Sequence, residues 1–219
     1  MCQITTRAPS LERDILSGMQ PGLGLTERAF GEHFHACAFV TSAEEGEGIA
    51  ESFLEIGMRR GSRAMYIVDP VKQGETQRRL EARAPAPDLL EITTWDDAHL
   101  SGGAFDGARM MDSLEEMVRS NASLGRPPMR VVGQMGWVPQ RAAEPHALVA
   151  YEATVNEVLN AGRTPTICVY QLSLLPGALM MDLLRAHPLA IVNGVLYENP
   201  FYTRAEKLLE ELARRPKPS

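Results

Sequence analysis

The sequence is poor in cysteine, in basic residues and in long apolar runs. It has three cysteines among 219 residues, and Lys and Arg number 22 against 28 Asp and Glu, which gives a net charge of −6. So few cysteines, without an apolar leader segment, argue against a secreted disulfide scaffold. No apolar run reaches the ~18 residues of a membrane-spanning helix. We therefore expect a cytoplasmic protein without a membrane partner, and the acidic balance argues against direct nucleic-acid binding.

Phosphate-binding and hydrolytic motifs are also missing. A P-loop needs glycines, a lysine and a Ser or Thr in the turn after the first strand. Here that turn, residues 41–48, has no lysine and three carboxylates, which would repel a phosphate at the helix N-terminus. Neither Gly-x-Ser-x-Gly nor His-Glu-x-x-His occurs. These absences predict a protein that is not an enzyme.

The apolar pattern that is present alternates between short strands and longer helices. Strands are predicted over residues 35–40, 64–68, 91–94, 129–135, 166–170 and 189–195, and helical patterns follow them up to a terminal helix over 205–214. Because these strands are apolar on both faces, they favour an α/β domain with a mainly parallel central sheet flanked by helices. Residues 1–32 differ in composition and are expected to form an N-terminal arm, with one domain over 33–219.

Two imidazoles and a thiol alternate along the first strand. His33, His35 and Cys37 would point to one face, since alternate residues of a strand share a face. Such a set can bind Zn²⁺ or a softer metal if another part of the chain supplies a fourth donor. Cys168, in the middle of the fifth strand, is a candidate donor if the two strands are neighbours. The alternatives are a polar pocket wall and ordinary core packing.

Aromatic and amide side chains gather at the predicted strand ends. Gln134 lies at the end of the fourth strand and Trp137 just beyond it, Tyr170 ends the fifth, and Tyr66 lies near the end of the second. Ligands of parallel sheets bind beyond the carboxyl ends of the strands, and this mixture suits a small, weakly polar organic molecule. The alternative for Trp137 is a core plug between helices.

Methionines line two of the predicted helices. Met110, Met111 and Met117 share one helix, and Met180 and Met181 lie in another. Core filling is the first interpretation, although methionine also lines pockets that accept varied ligands.

Eight short motifs, in order between residues 33 and 202, resemble the MEDS domain, a sensory domain of regulators from methanogens and methylotrophs. The motifs are His35-x-Cys37-x-Phe39, Tyr66-Ile-Val-Asp69, Phe105-Asp-x-x-Arg109-Met, Gly133-Gln-Met-x-Trp137, Tyr151-Glu152, Cys168-x-Tyr170, His187-Pro188 and Asn199-Pro-Phe-Tyr202. The resemblance implies a three-layer Rossmann-like or RecA/KaiC-like fold that has lost phosphate chemistry. Two positions depart from the family pattern: Gln134 and Gln171 stand where the family often has an acid.

The resemblance also implies a function. Family members are proposed to sense small hydrocarbon derivatives, and no cofactor is expected. The partner would be a separate signalling protein, such as a histidine kinase or a transcription regulator, and a homodimer is a further possibility. The residues expected to contact the ligand are His35, Cys37, Phe39, Tyr66, Asp69, Gln134, Trp137, Tyr151, Glu152, Cys168 and Tyr170.

Three other functions stay open at this point. One is a metal- or thiol-redox-responsive sensor that uses His35, Cys37 and Cys168. The second is a ligand-independent scaffold that docks through the terminal helix or the arm. The third is a degenerate nucleotide hydrolase.

Overall fold

The computed structural model describes residues 34–126, 129–141 and 145–215. The arm expected over 1–32 and the candidate ligand His33 lie outside the described residues. The strands are β1 (His35–Val40), β2 (Arg63–Val68), β3 (Leu90–Thr94), β4 (Met129–Gln134), β5 (Thr166–Gln171), β6 (Leu189–Val192) and β7 (Val195–Glu198). The helices are α1 (Ala43–Arg59), α2 (Gln73–Glu81), α3 (Gly107–Ser123), α4 (Val138–Arg141), α5 (Pro145–Ala161), α6 (Gly177–Ala186) and α7 (Ala205–Arg214).

The strands form one seven-stranded sheet in the order β3-β2-β4-β5-β1-β6-β7. Every neighbouring pair is parallel except β6 with β7. After β1, the chain adds β2 and then β3 toward one edge of the sheet. It then reverses direction, and β4 and β5 fill the positions between β2 and β1. Since β-α-β crossovers are right-handed, α1 and α2 cover one face, and α3, α5 and α6 cover the other. The predicted three-layer α/β architecture is confirmed.

Local sequence signals account for the helix boundaries. Ser42 accepts a hydrogen bond from the backbone N–H of Glu45, and Asp106 accepts two from the first turn of α3. Gly61 follows α1 with φ of +83°, in the left-handed region that glycine adopts without strain.

The apolar run predicted as a sixth strand contains a turn. Residues 189–195 do not form a single strand, because Asn193 and Gly194 adopt positive φ values of 49° and 74°. These angles make a tight turn, and β7 folds back antiparallel on β6 with Val192 opposite Val195. Asn-Gly is a strong hairpin signal that the apolar run conceals.

Two hydrophobic cores lie on opposite faces of the sheet. Side chains at alternate positions of β1 and β5, such as Ala38 and Val169, pack with α1, around Phe53 and Leu54. The remaining positions face α5, α6 and α7, in a core that also holds Trp137. Among the described residues, no helix is long and apolar enough to cross a bilayer.

Candidate functional site

A cluster of four buried side chains with electron-pair donors lies between the sheet and α5. It consists of His35, Glu152, Cys168 and His187, called here the donor cluster, whose donor atoms all lie within 4.8 Å of one another. His35 Nε2 is 3.3 Å from Glu152 Oε2 and 3.4 Å from Cys168 Sγ. His187 Nε2 is 3.4 Å from the same carboxylate oxygen. All four side chains are buried, which removes them from bulk water.

The parallel sheet brings two members of the donor cluster together. β1 and β5 are neighbours, with Cys37 opposite Cys168 and His35 opposite Thr166. His35 and Cys168 are therefore diagonal neighbours on the face toward α5. Cys37 shares that face, but its Sγ contacts the carbonyl oxygen of Leu189, 3.6 Å away, instead of joining the cluster.

Two helices supply the other members. The buried stripe of α5 recurs at Leu148, Glu152 and Asn156, so the Glu152 carboxylate points at the sheet where an apolar residue would normally lie. His187 caps the C-terminus of α6 just before the chain enters β6. Its ring centroid lies 4.1 Å from that of His35.

Neighbouring hydrogen bonds define the tautomers of both histidines. The Asn156 amide nitrogen donates to the carbonyl oxygens of Glu152, Ala153 and Ala186, so its oxygen is the atom facing His35 Nδ1, 3.1 Å away. His35 Nδ1 must therefore be the N–H donor. His187 Nδ1 likewise lies 2.7 Å from the carbonyl oxygen of Leu183, to which it donates. In neutral imidazoles both Nε2 atoms then carry lone pairs, and both face Glu152.

The cluster holds a buried negative charge. Burial acts to raise the pKa of the Glu152 carboxyl, but His187 and His35 beside it outweigh burial and hold that pKa well below its usual range. Burial lowers the pKa of His35 and raises the pKa of the Cys168 thiol. Tyr170 donates a 2.7 Å hydrogen bond to Glu152 Oε1. An ionised carboxylate at this depth needs a positive partner, either a proton on an imidazole or a cation.

A cavity of about 710 Å³ opens beside the donor cluster, under α3. This α3 cavity is walled by apolar side chains of α3 and the sheet, among them Met110, Met117, Ile67 and Val131. His35, Glu152 and Cys168 line it as well, together with Tyr151 and His99. The methionines of α3 thus belong partly to the core and partly to a cavity wall.

His99 and Trp137 are buried polar aromatics with unsatisfied nitrogens next to this cavity. Their rings lie 5.4 Å apart, and Phe105 stacks on Trp137 at 5.3 Å. His99 Nδ1 and Trp137 Nε1 have no hydrogen-bond partner among the described residues. Of the two, only His99 lines the cavity, so it offers an unmet hydrogen-bonding group to an occupant. Trp137 is 1% exposed, which fits the core-plug interpretation of this residue.

The acid stability of the fold should depend on His99. Burial lowers its pKa from 6.5 to about 4. The unfolded chain protonates His99 below pH 6.5 while the folded chain does not, so stability is expected to fall between about pH 6.5 and 4. The loss amounts to about 3 kcal/mol at ~1.4 kcal/mol per pKa unit. Urea unfolding at several pH values, with chelator present, should show a shallower pH dependence for His99→Gln than for the natural protein; identical slopes would contradict the assignment.

A second, smaller pocket of about 390 Å³ lies at the carboxyl ends of the strands, on the face of α1. This edge pocket is lined by Tyr66, Asp69 and Gln134, with Gln134 Nε2 donating a 2.7 Å hydrogen bond to the Tyr66 hydroxyl. Glu47 also lines it and pairs with Lys72. Acidic and basic side chains therefore lie side by side at this edge of the sheet.

The residues predicted to contact a ligand therefore separate into three groups. Lining the α3 cavity are His35, Tyr151, Glu152 and Cys168. Lining the edge pocket are Tyr66, Asp69 and Gln134. Buried in the core between sheet and helices are Cys37, Phe39, Trp137 and Tyr170. The structure thus places the larger cavity under α3 and not beyond the strand ends, where the sequence predicts the ligand.

Sequence reasoning does not assign His99, Asn156 or a ligand role to His187. Asn156 has a detectable signal, because it follows Glu152 by four residues on one helix and so shares its face. His187 stands out in the sequence only as part of a motif, and its approach to His35 depends on β6 lying beside β1. No local pattern marks His99, which lies in an irregular segment between β3 and α3.

Comparison with known proteins agrees with this architecture. The chain is similar to a solved ATPase domain, with a TM-score of 0.50, 9% identity and coverage of 78% of this chain and 72% of that one. It is also similar to a KaiC-like protein from Pyrococcus horikoshii, with a TM-score of 0.49, 12% identity and 78% coverage of each chain. At 9% identity, the likeness to the ATPase domain concerns the fold alone. No curated protein matches the sequence.

A family model does match the sequence. It is the model described as MEDS, the methanogen/methylotroph, DcmR sensory domain, and it covers residues 34–188. That range extends from the residue before β1 to the residue before β6 and includes all four members of the donor cluster. The chain therefore belongs to the MEDS family of sensory domains.

Proposed function

We propose that this protein is a non-enzymatic sensor that binds a small, weakly polar organic molecule in the α3 cavity and reports occupancy to a separate signalling protein. The observation that carries the proposal is the cavity itself. Its volume of about 710 Å³ falls within the range of small-molecule sites, roughly 300–1,000 Å³. Apolar side chains form one part of the wall, and polar groups that include the carboxylates of Asp97, Asp112 and Glu116 form the rest. Apolar surface with polar groups at defined positions is typical of small-molecule sites.

The lining supports a ligand that is mainly apolar but has one polar group. Met110 and Met117 provide an adaptable apolar wall on α3, and Ile67 and Val131 provide the facing wall on the sheet. His99 Nδ1 offers an unsatisfied hydrogen-bonding atom. A small hydrocarbon derivative, such as an alcohol, amine or halide, matches this combination of surfaces.

The turn after β1 argues against nucleotide chemistry. Glu44 and Glu45 occupy the first turn of α1, and Glu45 accepts hydrogen bonds from the backbone and hydroxyl of Thr41. The positive end of the α1 dipole is therefore already compensated by carboxylates. Equilibrium dialysis with ATP is expected to detect no binding, and saturable binding would restore the nucleotide hydrolase as a candidate.

Helix α3 is the element best placed to transmit occupancy. One side of it walls the cavity and packs with α5, while Glu115 and Arg119 are exposed and do not line the cavity. A ligand can change the surface that α3 offers to a partner only if it binds one conformation of the cavity wall more tightly than another. We infer that a histidine kinase or a transcription regulator reads this surface; a second copy of the chain is the alternative partner.

A cavity-filling variant tests the proposal. Ser113 lies on α3, lines the cavity and is exposed, so Ser113→Phe should occupy the space without disturbing the core. Thermal shift against a panel of small alcohols, amines and halogenated alkanes should show stabilisation of the natural protein and at least a tenfold weaker response of this variant. Ser123→Phe, on the same helix but outside the cavity lining, is the matched control.

Two outcomes would count against the sensor. If no compound of the panel stabilises the natural protein while a cognate partner still binds, the protein is a ligand-independent scaffold. If both phenylalanine variants respond like the natural protein, the ligand does not bind in the α3 cavity.

A further inference from the structure

We propose that the donor cluster is a binding site for a divalent transition metal ion of the Zn²⁺ class. His35, His187, Cys168 and Glu152 offer two imidazole nitrogens, one sulfur and one carboxylate oxygen, all buried. This inference does not depend on the occupant of the α3 cavity, because it rests on the four side chains alone.

The spacing of the donor atoms matches a tetrahedral shell. Zn²⁺ binds nitrogen at about 2.0–2.1 Å, oxygen at about 2.0–2.2 Å and sulfur at about 2.3 Å, so tetrahedral donors lie about 3.3–3.6 Å apart. The two imidazole nitrogens lie 3.3 and 3.4 Å from Glu152 Oε2. Cys168 Sγ lies 3.4 Å from His35 Nε2 and 3.7 Å from Glu152 Oε2. Four of the six donor distances are thus close to those of a tetrahedral shell, and the other two, both from His187 Nε2, are within 4.8 Å.

The hydrogen bonds behind the two rings also leave a position for a cation. Asn156 and the Leu183 carbonyl occupy the Nδ1 atoms of His35 and His187, so both Nε2 atoms are turned toward Glu152 and Cys168. His187 Nε2 has no hydrogen-bond partner among the described residues, although it is fully buried. A metal would satisfy this atom, which the hydrogen-bond network leaves unpaired.

The groups behind the donors form the outer shell that metal sites require. Asn156 and the Leu183 carbonyl orient the two rings, and Tyr170 holds the second Glu152 oxygen at 2.7 Å. Metal-binding histidines usually donate their other N–H to an amide, carboxylate or carbonyl oxygen in this way.

The donor set selects the ion. Nitrogen with sulfur favours Zn²⁺ and its neighbours over Mg²⁺ and Ca²⁺, which prefer oxygen donors only. A cysteine binds such an ion as the thiolate, so the Cys168 thiol releases its proton when the ion binds.

The test uses the full chain with Cys2→Ser, stripped of metal by a chelator and titrated with Co²⁺, then with Zn²⁺ as competitor. Tetrahedral cobalt should produce visible ligand-field bands and a near-ultraviolet thiolate-to-cobalt band, which Zn²⁺ removes. Cys168→Ser should lose the thiolate band. Cys37→Ser is the matched control, since Cys37 is also buried on the same sheet face but lies outside the cluster.

The size of the loss in metal affinity should distinguish residues that bind the ion from residues that only orient them. Asn156→Ala should weaken binding by about 10- to 100-fold, the usual effect of losing an outer-shell partner, and His187→Ala by more than about 100-fold. Absence of a thiolate band in the natural protein, or equal loss of the band in Cys37→Ser, would overturn the site. The natural protein alone can show that the band is absent. The proposal can therefore be rejected even if a variant fails to fold. Ligand stabilisation through the α3 cavity is measured separately, so either proposal can fail without the other.

Discussion

Replacement of Glu152 by alanine is expected to lower the free energy of unfolding by about 3–5 kcal/mol, the usual cost of removing one partner from a buried charged network. Glu152 is 1% exposed, and its two oxygens contact Tyr170, His35, His187 and Cys168. The substitution leaves the Tyr170 hydroxyl without its acceptor and opens space at the end of the α3 cavity. Urea unfolding followed by circular dichroism measures the change.

Two further substitutions separate charge from shape at this position. Glu152→Gln keeps an oxygen that accepts from Tyr170 and adds an amide that can donate to an imidazole Nε2, so it should cost about 1 kcal/mol. Glu157→Ala is the control on the same helix, since Glu157 is exposed. If Glu152→Ala destabilises the protein no more than Glu157→Ala does, the carboxylate is not the centre of the cluster. Glu152→Gln should also weaken the Co²⁺ response described above, because an amide is a poor metal ligand.

Replacement of Trp137 by alanine should have an effect of similar size, about 3–5 kcal/mol. Trp137 is 1% exposed and packs with His99 and Phe105, so its removal leaves a void that the rigid sheet edge cannot fill. The void would adjoin the α3 cavity, which His99 lines. Denaturant unfolding followed by fluorescence is a convenient measurement, because the chain has two tryptophans and each variant keeps the other as a reporter.

Trp95→Ala is the matched control for this experiment. Trp95 is only half-buried, and its ring lies against Gly136, where a Cβ would meet it at 3.2 Å. Its loss should cost clearly less than the loss of Trp137. Equal effects of the two variants would mean that Trp137 has no special place in this core.

The Trp137→Ala variant also tests the sensor against the scaffold. A partner that binds this variant as tightly as it binds the natural protein, with no ligand dependence in either protein, would favour the scaffold.

Most of the fold could be predicted because the strand signals are continuous and the helix caps are local. β1 begins and ends where the apolar run 35–40 does, and Ser42 caps α1 through contacts within four residues. The failure at 189–195 has the opposite cause. There, apolar residues on both sides of Asn193-Gly194 hide a hairpin whose pairing depends on the turn.

The candidate site could be predicted only in part. His35 and Cys168 can be linked once their strands are assumed to be neighbours, which the pairing of β1 with β5 confirms. Cys37 groups with them because it shares their face, but it contacts the Leu189 carbonyl instead. The alternation of side chains along a strand predicts the face on which a residue lies, but not its distance from a partner. It therefore cannot distinguish the Cys37 thiol from the Cys168 thiol.

The sequence by itself determined the class of fold, the family and the absence of a P-loop in the turn after β1. These properties follow from short-range patterns, such as apolar runs, caps and the acidic residues that begin α1. Only the tertiary structure decided which polar groups meet. The donor cluster joins residues from β1, α5, β5 and the end of α6, separated by up to 152 positions between His35 and His187. Burial then changes their chemistry, because an imidazole, a thiol and a carboxylate out of water have different pKa values from the same groups on an open chain.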